Sequence, residues 1–143
     1  MERICFNTAQ LQGCIFKDTK AKHNSFAYAE LEINMISRSV FEDTTFYIVT
    51  LRSTQITNTQ FSGCRFNHTQ IEKNTFENTT FTNSIFDNAE FRNVKLDNCT
   101  FENCTFTNTT AHNCTYRNVD PETAAQLEAI GFTEDTTERI FDL

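Results

Sequence analysis

Apolar residues recur at every fifth position of this chain from Phe6 to Tyr116, and the register never slips. The series reads Phe6, Leu11, Phe16, Ala21, Phe26, Leu31, Ile36, Phe41, Phe46, Leu51, Ile56, Phe61, Phe66, Ile71, Phe76, Phe81, Phe86, Phe91, Leu96, Phe101, Phe106, Ala111, Tyr116. Of the 15 Phe in the protein, 13 share this phase; Phe132 and Phe141 lie beyond the last repeat. Two residues before each centre a second selection operates, since 17 of these 23 positions are Thr, Cys, Ala or Ser. A small residue, a spacer and a large residue form a two-residue alternation, so both side chains face the same way from an extended segment. The following two residues must then turn the chain. A period of five fits neither a 3.6-residue helix nor a long flat strand. It fits a coil whose every side is one short strand followed by one corner.

With 23 such units between Ile4 and about Val119, the chain resembles the pentapeptide-repeat family. The resemblance implies an all-β solenoid: a right-handed quadrilateral β-helix with four repeats per coil, about six coils long. The sequence departs from the family's commonest form by preferring Phe over Leu at the centre and by placing Asn three residues ahead of it. The run Phe101-Glu102-Asn103-Cys104-Thr105-Phe106 also resembles the luminal domain of a synaptic vesicle glycoprotein with the same fold, which is read as shared repeat chemistry rather than shared function.

A twenty-residue coil sorts the centres into four interior columns. One contains Phe6, Phe26, Phe46, Phe66, Phe86 and Phe106, and another Ala21, Phe41, Phe61, Phe81 and Phe101. Coils about 4.8 Å apart would stack these rings at a distance suited to offset aromatic packing. Outward positions test the same period. The residue after the centre on one side reads Gln12, Glu32, Arg52, Glu72, Arg92, His112, which predicts opposite charges on adjacent coils. From Asn78 to Asn118 every fifth residue is Asn, a residue that tolerates left-handed corners and can ladder its amides.

The repeat stops at Asp120-Pro121-Glu122, which predicts a helix with Asp as N-cap and Pro at its first position. Residues 1–119 are therefore expected to form the β-helix and residues 120–143 a short C-terminal helical cap. Ala124, Leu127 and Ile130 supply the apolar stripe and Gly131 the C-cap. Thr133-Glu134-Asp135 is read as the cap of a second short helix carrying Ile140, Phe141 and Leu143. Leu127, Ile130, Phe132, Ile140, Phe141 and Leu143 would serve as cap contacts or, as in resembling proteins, as a homodimer contact. At the other end, Ile4 and Phe6 enter the first coil with nothing ahead to cover them.

Composition narrows the function. Five of six Cys (Cys14, Cys64, Cys99, Cys104, Cys114) occupy the small inward position, so they are expected to be packing residues. Cys64 and Cys104 are two coils apart, about 9.6 Å, too far for a disulfide. Neither zinc spacing nor a nucleophile with an adjacent base occurs, and His23, His68 and His112 fall on different sides or distant coils, so no enzyme, metal or cofactor is expected. Six Asn-x-Ser/Thr sequons, at Asn67, Asn78, Asn98, Asn103, Asn108 and Asn113, read as by-products of the repeat. No apolar run approaches a membrane span, and Met1-Glu2-Arg3-Ile4 has no signal-like apolar region, so a cytoplasmic protein without a membrane role is expected.

Two functions remain. In the first, a protein partner docks on apolar residues at outward positions of the N-terminal half: Ile15, Tyr28, Ile33, Met35, Val40, Tyr47 and Ile48. Threading puts Tyr28 over Ile48 at one edge of a side and Ile15 over Met35, beside Ile33, at the other. Ile33 and Ile48 occupy corners, where a β-branched residue strains the backbone, so local distortion of the coil would also account for them. The second function, implied by the resemblance, is duplex-DNA mimicry toward a type II topoisomerase such as gyrase. The net charge of -7 suits a mimic, but residues 1–119 hold 12 acids against 11 bases, so the rod is nearly neutral. The chain is accordingly read as a non-enzymatic scaffold with a protein partner, and no direct nucleic-acid binding is expected.

Overall fold

The computed structural model of the protein describes residues 1–136. The chain winds as a four-sided β-helix in which each strand pairs in parallel register with the strand twenty residues away, because on three of the sides a three-residue strand is followed by two residues that turn the chain. Parallel sheets cover three sides. The second side holds six strands, from Gln10–Gln12 to Thr110–His112; the third holds seven, from Ile15–Lys17 to Thr115–Arg117 plus Thr133–Glu134; the fourth holds five, from Lys20–Lys22 to Thr100–Glu102. The first side carries the six-Phe column and is joined by single bridges, such as Ser25 to Thr45 and Arg65 to Ile85.

Corners follow one rule. All corner residues from Arg3 to Asn118 have left-handed backbone, with φ between 47° and 68°, and from Arg3 to Asn98 each N–H donates to a carbonyl of the next coil. Asn suits this conformation, and its amides ladder where predicted: Asn98 Nδ2 donates to Asn78 Oδ1 at 2.7 Å, and Asn113 donates likewise to Asn93 at 2.5 Å.

The interior is a pile of rings. Phe6, Phe26, Phe46, Phe66, Phe86 and Phe106 stack with centroids 4.7 to 5.3 Å apart and planes within 8° of parallel. The Phe41, Phe61, Phe81, Phe101 column does the same at 4.7 to 5.2 Å, and the two columns meet edge to face, as at Phe46 and Phe61, 6.0 Å and 71°. Both arrangements are favoured by the ring quadrupole. Polar residues at the small inward position bind the coil below: Thr69 Oγ1 donates to the Phe46 carbonyl at 2.7 Å and Cys99 Sγ to that of Phe76 at 3.3 Å.

The helix α1 (Pro121–Ile130) closes the C-terminal end. The Asp120 side chain accepts from Thr123 N at 3.2 Å, as an N-cap should. Leu127 is buried and Ala124 and Ile130 pack partly buried against the core, as the stripe predicted, and Thr123 is buried beside them, its Oγ1 accepting from Phe101 N at 3.4 Å. Gly131 has φ 120° and lies so close that an added Cβ would sit 2.4 Å from the Ala111 carbonyl oxygen. The expected second helix does not begin at Thr133. Thr133–Glu134 instead extends the third side by pairing with Thr115 and Tyr116, since an open solenoid edge offers unpaired backbone groups that a following segment can satisfy. Ile140, Phe141 and Leu143 lie outside the described residues.

Candidate docking surface

The large hydrophobic side chains that remain exposed, among the described residues, all lie within the first 48: Met1, Ile4, Ile15, Tyr28, Ile33, Met35, Tyr47 and Ile48. Six of them are the predicted docking residues. Val40 is only half-buried and stands on the fourth side, away from the rest. Ile15 pairs with Met35 on the third side, and Ile33, 57% exposed, occupies the corner that joins the third side to the second. At the opposite corner Tyr28 and Ile48 follow one another, and Tyr47 turns its ring edge to Tyr28 at 6.0 Å and to His68 at 5.7 Å. Two apolar ridges thus flank the second side.

These corners are not distorted. Ile33 has φ 55° and Ile48 φ 53°, within the range of the Asn corners, and their N–H groups donate to Arg52 and Asn67 carbonyls at 3.0 Å each. The coil runs through both positions unchanged, so the strain of a β-branched residue in left-handed backbone is retained there. Left-handed backbone costs an L-residue on the order of 1–2 kcal/mol, and a β-branched side chain is disfavoured further.

Between the ridges the second side carries charge. The predicted alternation along Glu32, Arg52, Glu72 and Arg92 yields a single cross-coil pair, Arg52 to Glu72 at 3.3 Å, because Arg92 turns along its own strand to Glu90. A shallow cleft of about 110 Å³, lined by Glu30, Leu31, Glu32, Thr50 and Arg52, lies between the flanking corners. A further cleft of about 490 Å³ is found on the fourth side, bounded by residues that include Met1, Lys20, Lys22 and Glu42.

The cysteines behave as packing groups. Burial pushes the Cys64 thiol up to about 12 and Cys99 to about 11, and raises Cys104 and Cys114 in the same direction. Cys5 is exposed and Cys14 half-buried. Among the described residues no group of three or more His, Cys, Asp or Glu could hold a metal ion. Of the residues read as cap or dimer contacts, Leu127 and Phe132 are buried, with Phe132 edge-on to Phe91 at 5.5 Å, and Ile130 is partly buried against the core. Tyr116, which sequence reading treated only as the last centre, ties the cap down by donating its hydroxyl to Glu128. That contact was invisible in the repeat because its partner lies outside it.

The sequence pattern of the SV2A/B/C luminal domain family matches residues 14–106. The fold is similar to that of a pentapeptide repeat protein from the cyanobacterium Cyanothece 51142, with a TM-score of 0.70 and 14% identity over 76% of this chain and 88% of that one. A pentapeptide repeat protein from the thylakoid lumen of Arabidopsis thaliana aligns with a TM-score of 0.53 and 13% identity over 90% of this chain and 81% of that one. No curated protein matches the chain by sequence. The expectation of a cytoplasmic protein is overturned by the family match, since that family is one of luminal domains. The expectation rested on absences, of an apolar run and of a signal-like region at Met1-Glu2-Arg3-Ile4, whereas the contacts that fold the repeat carry no compartment signal.

Proposed function

The chain belongs to the SV2A/B/C luminal domain family and is a pentapeptide-repeat protein; from that premise we propose that it is a non-enzymatic interaction module of a luminal compartment. Its docking surface is the pair of apolar ridges at Tyr28, Tyr47 and Ile48 on one edge and Ile15, Ile33 and Met35 on the other. The observation that carries this reading is the backbone at Ile33 and Ile48. Both hold left-handed corners of the kind that Asn fills from Asn78 to Asn118, and both leave their side chains in solvent, 57% and 38% exposed. Folding gains nothing from that choice, so the gain lies in what the side chains touch outside the molecule.

The duplex-mimic reading has less support. Acids and bases nearly balance along the rod, and several of its carboxylates are held in ion pairs, as at Arg38 with Asp18 (3.0 Å) and Arg117 with Asp97 (2.9 Å).

The test is quantitative co-purification from a luminal fraction, comparing the full chain with Tyr28→Ser/Ile48→Ser and with a control pair, Thr80→Ser/Thr100→Ser, on the fourth side. A partner retained by the control and lost from the ridge variant is expected. The same partners on all three proteins would overturn the reading.

A further inference from the structure

The ridges do not enclose a neutral strip. On the second side the outward residues include four carboxylates, Glu30, Glu32, Glu72 and Glu90, against two guanidiniums, Arg52 and Arg92. Neither guanidinium turns toward the N-terminal coils: Arg52 reaches one coil further on, and Arg92 lies along its own strand. Arg52 reaches Glu72 at 3.3 Å and Arg92 contacts Glu90, whereas Glu30 and Glu32 form none of the ion pairs found among the described residues.

The side supplies its own comparison. A second cleft, of about 170 Å³, repeats the same geometry two coils further on, lined by Gln70, Ile71, Glu72, Glu90 and Arg92. There the carboxylates are paired, and the flanking corners are His68 with Asn88 and Lys73 with Asn93. At the first cleft the carboxylates are unpaired and the flanking corners are Tyr28 with Ile48 and Ile33 with Ser53. Apolar rims and unpaired negative charge therefore coincide at one of two otherwise equivalent places.

We infer that the cleft between the ridges takes a cationic side chain, Lys or Arg, from a partner peptide segment whose neighbouring residues are apolar and rest on the two ridges. This deepens the docking surface proposed above and rests on it. A cation placed over Glu30 and Glu32 meets two carboxylates in a cleft completed by Leu31, Thr50 and Arg52, the last already engaged by Glu72, so charge complementarity favours it there. The two corners are five residues apart, on the order of 10–15 Å, which an extended segment covers in about four residues at ~3.3 Å each. In such a segment alternate side chains face the same way, so an apolar, a cationic and a further apolar residue would all meet the surface.

The test is selection of a random displayed peptide library on the full chain, after removal of binders to Tyr28→Ser/Ile48→Ser. Synthetic peptides of the enriched sequences are then titrated by fluorescence anisotropy. Enrichment of Lys or Arg between apolar residues is expected, with Glu30→Gln/Glu32→Gln weakening binding by ~10-fold or more and Glu72→Gln/Glu90→Gln changing it less than about twofold. Melting temperatures of the variants establish that each is folded. Ridge-dependent peptides that are acidic or neutral, or that bind Glu30→Gln/Glu32→Gln as well as the parent, would overturn the cation while leaving the docking surface standing. Failure to enrich any ridge-dependent peptide would overturn both.

Discussion

The side chain of Asn74 hydrogen-bonds to Leu51, one coil below it, with Nδ2 donating to the backbone carbonyl at 2.8 Å, while its Oδ1 accepts from Thr54 N at the same distance. A fully buried amide thus replaces two backbone bonds that the corner cannot make. Asn74→Val keeps the volume roughly constant but strands an N–H and a carbonyl. The expected cost is about 2–4 kcal/mol, read from urea unfolding of the variant against the parent, since each stranded buried group costs about 1–3 kcal/mol. A loss under about 0.5 kcal/mol would show that the side-chain bonds are not made.

Phe66 lies between Phe46 and Phe86 in the stacked column, 4.9 and 4.8 Å from them. Phe66→Ala removes a ring with no neighbour able to fill the gap, because the column is one residue wide. Destabilisation of about 3–5 kcal/mol is expected. Unchanged thermal stability would contradict the stacking.

Ile33→Asn and Ile48→Asn should act in opposite directions on stability and on docking. Each relieves a β-branched left-handed corner, so each is expected to stabilise the fold by roughly 1 kcal/mol and raise the melting temperature. Each also removes apolar area from a ridge. If either variant melted below the parent, the strain argument, and with it the principal support for the docking surface, would fail.

Alkaline stability follows from the buried thiols. Cys64 and Cys99 are pushed by burial from the ordinary value of 9.0 up to about 12 and about 11 in the folded chain. Folded-state values above the unfolded ones mean that stability is fully present below about pH 9 and is lost as pH rises through the folded values, where the unfolded chain has released protons the folded chain still holds. Tyr116 adds to the loss at the upper end, because its hydrogen bond to Glu128 holds the phenol up to about 12. Denaturant titrations at several pH values from 8 to 11 check this; Cys64→Ala/Cys99→Ala should flatten the decline.

Thiol labelling offers a separate check of burial. Under native conditions Cys5 is expected to react first, Cys14 more slowly, and Cys64 and Cys99 only on unfolding, because the first is exposed and the last two are buried and neutral. Rapid native labelling of Cys64 would mean the coil opens at its small inward column.

The residues by themselves determined the period, the four columns and the inward face. Phe46, Phe66 and Phe86 could be placed in one pile because a five-residue rule stated 23 times leaves no competing register, and each small-spacer-large unit is satisfied locally. The Tyr28, Ile48 and Ile33 ridges were legible for the same reason, since outward positions inherit the period. Tertiary structure alone decided which charges pair. Arg52 chooses Glu72 and Arg92 chooses Glu90, because exposed side chains have rotamer freedom that periodicity does not constrain, and that choice is what leaves Glu30 and Glu32 without an ion pair. Tertiary structure also decided the end of the rod. Thr133–Glu134 pairs with the last coil instead of starting a helix, and Thr123 is buried along with the predicted apolar stripe, since a cap occurs once and its short-range signals yield to the backbone groups it must cover.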